Sequence, residues 1–130
     1  MILLIGAILG FVSVAFGAFA NHGLRENITS EDFSFLMTAV RYNQVHAIAI
    51  ITIGLSQLTK GALSKNRLLR WSGLLFITGT ILFSFSIYGS ISLSLPGLGN
   101  VAPVGGIIMM AAWLLLAVSA VVAIRRRSQR

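Results

Sequence analysis

Residues 38–46 read Thr-Ala-Val-Arg-Tyr-Asn-Gln-Val-His, and this stretch decides how the rest of the chain is interpreted. It opens the only long apolar run that contains both a charged residue, Arg41, and an imidazole, His46. An ionisable side chain in a membrane segment costs about 3 kcal/mol on insertion scales, and it usually faces the bundle interior, where it finds a partner. The stretch therefore predicts a polar site within an apolar framework.

The composition around this stretch is that of a membrane protein. The 130-residue chain is 56% hydrophobic and 10% charged, whereas soluble domains carry roughly 25% charged residues. Only helices and closed barrels span bilayers, and no closed barrel could be built from the apolar runs of this chain. The expected fold is all-α, an integral membrane four-helix bundle formed by residues 1–130 as one domain. Its four apolar spans, each near the roughly 20 residues that cross a bilayer, are 2–20, 36–58, 71–93 and 101–124.

The charges predict the orientation in the membrane. The three acids, Glu26, Glu31 and Asp32, all lie in the first connection. Since basic residues accumulate on the cytoplasmic side, both termini are expected in the cytoplasm. The net charge of +7 does not indicate nucleic-acid binding, because the aromatic residues and folded basic face that such binding needs are missing. Eight of the ten basic residues flank spans on one predicted side: Lys60, Lys65, Arg67, Arg70, Arg125, Arg126, Arg127 and Arg130.

The residue types give little support to metal or catalytic chemistry. The chain has no cysteine, which excludes disulfides and thiolate metal sites. His22 and His46 lack a third ligand at a spacing typical of zinc sites. The carboxylates are confined to the first connection, and no Ser-His-acid arrangement is evident. We therefore expect a non-enzymatic protein without a metal or other cofactor.

The first helix carries a stripe of small residues. Gly6, Gly10, Ser13 and Gly17 are spaced by four, three and four residues, so they share one helical face that suits close helix packing. A plain packing face is favoured, and self-dimerisation through Gly6 and Gly10 is the alternative. Gly23 is expected to end this helix in the left-handed conformation.

Two later segments carry signals of their own. Thr80, Ser84 and Tyr88 recur at four-residue steps and predict a hydroxyl-bearing face on the third helix. The segment 90–100, with its proline and glycines, predicts a tight turn. Pro103 then suits the first turn of the fourth helix.

Counting along the helices places several polar residues at similar depths. Arg41 lies seventeen residues from Leu58, and Tyr88 lies seventeen residues from Trp71, so both are expected about 26 Å above the cytoplasmic boundary. The glycines at 105–106 narrow the fourth helix near this height. Arg41 is therefore predicted to point into the bundle, towards the Tyr88 hydroxyl and carbonyls near this narrowing. Snorkelling to the outer interface and a ligand or ion role remain alternatives.

A second level lies deeper in the membrane. His46 is twelve residues from Leu58, which matches the height of Ser84 and nearly that of Trp113. Trp113 is too deep for an interfacial anchor, so its indole N–H is expected to find a partner inside the bundle. A hydrogen-bonded packing histidine is the favoured interpretation of His46, and a proton relay or ligand contact is the alternative.

Four segments resemble the YgdD/YwdK family of small inner-membrane proteins of unknown function, which also includes animal transmembrane protein 256. They are residues 17–24, similar to GAFGAHGL; residues 38–47, similar to TAxRYQxxHAL; residues 82–88; and residues 102–106 with Trp113 and Leu114. The resemblance implies a four-helix protein of the bacterial inner membrane with no established activity. Asn21 replaces an expected alanine, and Phe85 replaces an expected small residue. The positions matching the family's motifs are His22, Arg41, Tyr42, His46, Pro103, Gly105 and Gly106.

Two functions are compatible with these features. The first is an accessory or interaction subunit of a larger membrane complex, which contacts lipids and other membrane proteins or a second copy of itself. The second is a small transporter or channel-like protein with an outer-facing pocket for an anion, a proton or a lipid head group, although no internal repeat supports it. The candidate polar cluster for either function comprises His22, Arg41, Tyr42, His46, Ser84, Tyr88, Pro103, Gly105 and Gly106.

Overall fold

The computed structural model describes residues 1–60 and 63–128, apart from the side chain of Arg127. Arg130, one of the predicted cytoplasmic basic residues, lies outside this part of the chain. Within the described residues the fold is all-helical, with four long helical segments. The helices are α1 (Ile2–Phe19), α2 (Ser30–Leu58), α3 (Arg67–Thr80), α4 (Ser86–Ser92), α5 (Pro96–Gly99) and α6 (Ala102–Ser128). Two π-helical segments, Ala20–Leu24 and Ile81–Phe85, extend α1 and join α3 to α4.

Three of the long segments are apolar and long enough to cross a membrane: Ile2–Leu24, Arg67–Ser92 and Pro96–Arg126. The predicted second span, 36–58, is not among them, although α2 has 29 residues. Polar residues in the middle of α2, including Arg41, Asn43 and Gln44, lower its hydropathy. The membrane character of the chain is therefore carried by α1, the α3–α4 segment and α6.

The small-residue stripe of α1 lies against α2. Gly6 faces Ile50 and Ile51 so closely that an added Cβ would lie 2.9 Å from both side chains. Gly17 is buried opposite Val40 at the other end of the helix. The two helices are thus antiparallel and in contact along the length of α1. Gly10, also in the stripe, is half-buried with Ala47 as its neighbour, and Ser13 is fully buried.

The opposite pair of antiparallel helices is α3 and α6. The Ser72 hydroxyl donates to the carbonyl oxygen of Ala112 at 3.0 Å. The side-chain amide of Asn66 donates to the Ser119 hydroxyl at 2.9 Å. Both bonds hold these two helices together, and α2 of the first pair packs against α3 of the second.

The buried residues form two apolar clusters, one above the other. The first contains the fully buried Phe76 and joins all four long segments: Ile2, Leu9, Ala47, Ile50, Ile53, Leu69, Phe76, Ile77 and Ala112. The second lies near the connection between α1 and α2 and consists of Ala20, Leu36, Ala39, Val40 and Tyr88.

The helix boundaries agree with part of the sequence prediction. The Thr29 hydroxyl accepts a hydrogen bond from the Asp32 amide at 3.0 Å and caps α2, which begins six residues before the predicted span 36–58 and ends with it at Leu58. The third helix starts at Arg67, four residues before the predicted span, because the side-chain Oδ1 atom of Asn66 accepts hydrogen bonds from the first backbone amides. The left-handed cap predicted at Gly23 is wrong: no described glycine has a positive φ, and the π-helical segment continues α1 instead. The segment 90–100 contains α5 rather than a turn alone.

The charges separate the molecule into two ends, which we name by their residues. The acidic end carries Glu26, Glu31 and Asp32, together with one cation, Arg25, which lies over the Phe33 ring. The basic end carries the exposed cations Lys60, Lys65, Arg67, Arg70, Arg125 and Arg126.

Candidate functional site

His46 lies at the centre of the polar cluster and is nearly buried, at 5% exposure. Its Nδ1 atom is 2.7 Å from the carbonyl oxygen of Tyr42, one turn earlier in α2. Its Nε2 atom is 3.2 Å from the indole Nε1 of Trp113 on α6. The partner that the sequence predicted for the Trp113 indole is therefore His46.

These two partners fix the form of the imidazole. A carbonyl oxygen can only accept and an indole N–H can only donate. Nδ1 of His46 therefore carries the hydrogen and Nε2 accepts, which describes the neutral imidazole. An imidazolium would direct a second N–H at the indole N–H of Trp113. This arrangement suits a hydrogen-bonded packing histidine better than a proton relay, because neither partner passes a proton on.

Aromatic rings enclose His46 on several sides. Phe76 and Trp113 meet edge to face with their centroids 4.9 Å apart, and the Phe76 centroid lies 5.5 Å from that of His46. The Tyr42 ring centroid lies 5.8 Å from that of His46 and 4.9 Å from that of Phe83. Such ring pairs add to the apolar burial of this region, so the imidazole belongs to the packing core between α2, α3 and α6.

A second polar group lies closer to the acidic end. Asn43 is fully buried, and its amide nitrogen donates to the Tyr88 hydroxyl at 3.4 Å. The Tyr88 ring stacks on Phe16 of α1 with a centroid distance of 3.8 Å. The Ser84 hydroxyl, in the π-helical segment, donates to the Ala39 carbonyl oxygen at 3.1 Å. These contacts bind α2 to the α3–α4 segment.

Arg41 departs from the prediction. Its side chain is exposed, and it forms no hydrogen bond or ion pair with any residue in the described ranges. The expected contacts with Tyr88 and with the start of the fourth helix are not made. The reason is rotation about the helix axis: Asn43 and His46 occupy the inner face of α2, which turns Arg41 outwards.

The remaining predicted residues are divided between surface and interior. His22 and Pro103 are exposed at the acidic half of the molecule, and Tyr42 is 43% exposed. Gly105 is buried against the backbone of Phe83, and Gly106 is half-buried beside the Phe83 ring. The structure thus buries His46, Ser84, Tyr88 and Gly105 as packing residues and half-buries Gly106. It leaves Arg41, Tyr42, His22 and Pro103 exposed.

Several residues that shape the structure were not predicted from the sequence. Asn43 was in the quoted stretch but was not identified as a site residue. Gly54 allows α1 to approach, since a Cβ there would lie 2.6 Å from Leu3 Cα. Gly79 likewise allows α3 to approach α6 closely. An isolated glycine in an apolar helix was the available signal for both.

A cavity of about 440 Å³ lies at the acidic half, between α2, α4, α5 and the start of α6. Neither Arg41 nor His46 lines it. The lining residues are Asp32, Phe35, Thr38, Phe83, Ile87, Ser90, Ile91, Gly99, Ala102 and Pro103.

The chain is similar to proteins of one family. The profile of the family described as "Protein of unknown function (DUF423)" matches residues 16–106. The UPF0382 membrane protein SH2409 of Staphylococcus haemolyticus is 33% identical over 92% of this chain and 93% of its own length. A UPF0382 membrane protein of Haemophilus influenzae is 33% identical over 85% of this chain and 86% of its own length. The UPF0382 inner membrane protein YgdD of Escherichia coli is 31% identical over 92% and 88%.

These relatives confirm the resemblance drawn from the motifs. No solved structure matches this chain. The relatives are named membrane proteins, and three helical segments of this chain can cross a membrane. The chain is therefore an integral membrane protein, and the predicted inner-membrane location agrees with the name of the Escherichia coli relative. With the profile covering residues 16–106 and relatives aligned over most of its length, the chain belongs to the DUF423 family.

Proposed function

We propose that this chain is a non-enzymatic accessory subunit of a larger complex in the bacterial inner membrane. We also propose that α2 crosses the membrane as the fourth span of a four-helix bundle. The support is that α2 lies against α1 from Gly6 to Gly17, so α1 cannot cross without it. The basic end holds both termini in this arrangement, since Leu3 lies beside Gly54 and Arg125 follows the apolar part of α6. The positive-inside rule then makes that end cytoplasmic.

The observation that carries the accessory role is the outward face of α2. Arg41 and Gln44 are both exposed there, and neither forms a hydrogen bond with another residue in the described part of the chain. Arg41 lies nine residues from Asp32, about 14 Å along the helix axis from the acidic end. Charged groups at such depths are rare and usually paired. A neighbouring protein with a carboxylate or carbonyl acceptors would supply the missing partner.

A non-enzymatic role is supported by the way the internal polar groups are used. Both nitrogens of His46 are engaged, and the hydroxyls of Ser72 and Ser84 donate to backbone carbonyls. These groups bind helices to one another instead of facing the cavity. The acids lie together at one end, away from the imidazole.

Photo-crosslinking in native membranes tests the accessory role. A photoreactive residue at position 44 should give a discrete protein adduct, and Arg41→Ala should abolish that adduct while the amount of membrane-inserted protein stays the same. Arg41→Lys should weaken it nearly as much, because an ammonium cannot reproduce the planar fork of a guanidinium. The matched control is Leu114, which is 70% exposed on α6. Adducts with lipid alone at position 44, or the same protein adduct at position 114, would refute the proposal.

The cavity favours a second candidate, a small transporter or channel-like protein. It opens at the acidic half, which would be the outer side in the proposed topology. Asp32 is the one charged side chain that lines it, so an anion would meet a carboxylate and no cation. Uptake of an anion by proteoliposomes containing the purified protein would support this candidate, although the Asp32 carboxylate in the lining is expected to repel an anion.

A further inference from the structure

The cavity exists because α4 extends further towards the acidic end of the molecule than the start of α6 does. Gly105 of α6 lies beside the backbone of Phe83, which fixes the relative heights of the two segments. From Phe83 the α4 side continues for nine residues to Ser92, whereas α6 extends only three residues back from Gly105 to Ala102. At 1.5 Å per residue, α6 starts about 9 Å short of the end of α4. One corner of the four-helix arrangement is therefore missing at the acidic half.

The short helix α5 closes only part of this corner. It lies on α4, where Gly99 approaches the Ser90 hydroxyl and Leu98 approaches Gly89. The space left between α5, α2 and the start of α6 is the cavity. Its volume of about 440 Å³ falls within the roughly 300–1,000 Å³ of typical small-molecule sites. A space of this size with mostly apolar walls is more suited to a hydrocarbon chain than to water.

The one charged side chain of the lining lies at one end of the cavity. Asp32 lies in the first turn of α2, at the upper rim. Thr38 follows six residues later, about 9 Å deeper, and Phe83 and Ala102 mark the level where α6 begins. This order, a charge at the rim and apolar side chains below, matches an amphiphile with its head group at Asp32 and its chain inside.

The charge at the rim selects the head group. The Asp32 carboxylate accepts a hydrogen bond from the Thr29 hydroxyl at 2.8 Å. It forms no ion pair with any residue in the described ranges, and no basic side chain lines the cavity. The dipole of α2 offsets only about half of a unit charge at the helix start. A carboxylate in this setting attracts an ammonium group and repels an anionic head group.

We propose that the cavity binds an amine-headed phospholipid, such as phosphatidylethanolamine, with its ammonium group at Asp32 and one acyl chain between α2, α4 and α6. The Ser90 hydroxyl has no partner among the described residues and faces the same space. It can donate to an ester oxygen of the lipid. This site does not depend on the accessory role or on a partner at Arg41.

Lipid titration of the full chain, purified in a neutral detergent and followed by native mass spectrometry, tests the site. Phosphatidylethanolamine should bind about tenfold more tightly than phosphatidylglycerol with the same acyl chains, the discrimination expected of one hydrogen bond between charged groups. Asp32→Asn should remove this preference, because phosphatidylethanolamine loses its ionic partner and phosphatidylglycerol is no longer repelled. Asparagine still accepts the Thr29 hydrogen bond, so the helix start is retained.

Two further variants separate the site from general effects of charge and folding. Glu31→Gln is the matched control, because Glu31 is exposed in the same helical turn but does not line the cavity. It should keep the tenfold preference. Ser90→Phe should weaken binding of both lipids by filling the space, with an unchanged unfolding temperature in lipid-free detergent. Equal binding of the two lipids by the wild type, or equal effects of Asp32→Asn and Glu31→Gln, would overturn the proposal.

Discussion

Replacing Gly105 by alanine is the sharpest test of how α6 is held against the α3–α4 segment. A Cβ at this position would overlap the backbone nitrogen of Phe83 and would lie 2.7 Å from the carbonyl oxygen of Gly79. Both neighbours are backbone atoms, so no side chain can rotate to make room for the added methyl group. The methyl group can be accommodated only if the two helices move apart or if the π-helical segment rearranges.

The size of the effect follows from this geometry. Overpacking a well-packed core typically costs 1–3 kcal/mol and occasionally more. Because backbone must move, we expect Gly105→Ala to lower the free energy of unfolding by about 3 kcal/mol or more. The next residue provides the control. A Cβ on Gly106 would lie 3.9 Å from the Phe83 ring, an ordinary contact, and alanine favours a helix over glycine by about 0.5–1 kcal/mol. Gly106→Ala should therefore be neutral or slightly stabilising.

Reversible unfolding of the purified variants in mixed micelles, with increasing denaturing detergent, measures both effects. In a Trp71→Phe background, Trp113 is the remaining tryptophan, and its fluorescence reports on the α3–α6 contact, since it lies against Phe76. If Gly105→Ala unfolds at the same midpoint as wild type, or if the two glycines respond alike, α6 does not approach Phe83 as closely as the structure indicates.

Three more predictions concern packing and orientation. Gly6→Ala should destabilise the protein by about 1–3 kcal/mol, whereas Gly10→Ala should not, because a Cβ added at Gly6 would lie 2.9 Å from α2 side chains and one added at Gly10 would lie 3.8 Å from Ala47; equal unfolding midpoints would contradict this. A double-mutant cycle of His46→Phe and Trp113→Phe should give a coupling of about 0.6 kcal/mol, and at most about 1.7, as for other hydrogen bonds in membranes; zero coupling would show that the bond adds no stability. A reporter fused to the C-terminus should be active only in the cytoplasm, and an external signal would reverse the proposed topology.

Sequence reasoning succeeded where composition and depth alone decide the outcome. The helical fold follows from the apolar spans. Trp113 was too deep for the interface, and its partner is a residue predicted at nearly the same height, His46. The hydroxyl of Ser84 meets the carbonyl of Ala39, in agreement with a polar face on the third helix.

It failed where rotation about a helix axis matters. Successive residues turn by about 100°, so Arg41 and His46 point roughly 140° apart on α2. The depth that Arg41 shares with Tyr88 therefore did not bring Arg41 into the interior, because Asn43 and His46 occupy the buried face of α2. The counts also assumed that all helices end at one level. The short α6 and the π-helical segment Ile81–Phe85 break that assumption, and neither has a clear signal in the sequence.

The structure also changes which surface supports an accessory role. The stripe on α1 was interpreted as a plain packing face, with self-dimerisation through Gly6 and Gly10 as the alternative, and Gly6 and Gly17 are buried against α2. That face is already occupied within the chain. The unpaired polar groups lie instead on the outer side of α2, at Arg41 and Gln44. A subunit that docks on this chain is therefore expected to contact α2 and to carry an acceptor for a guanidinium, and a partner found on α1 would have to bind through its lipid-facing residues.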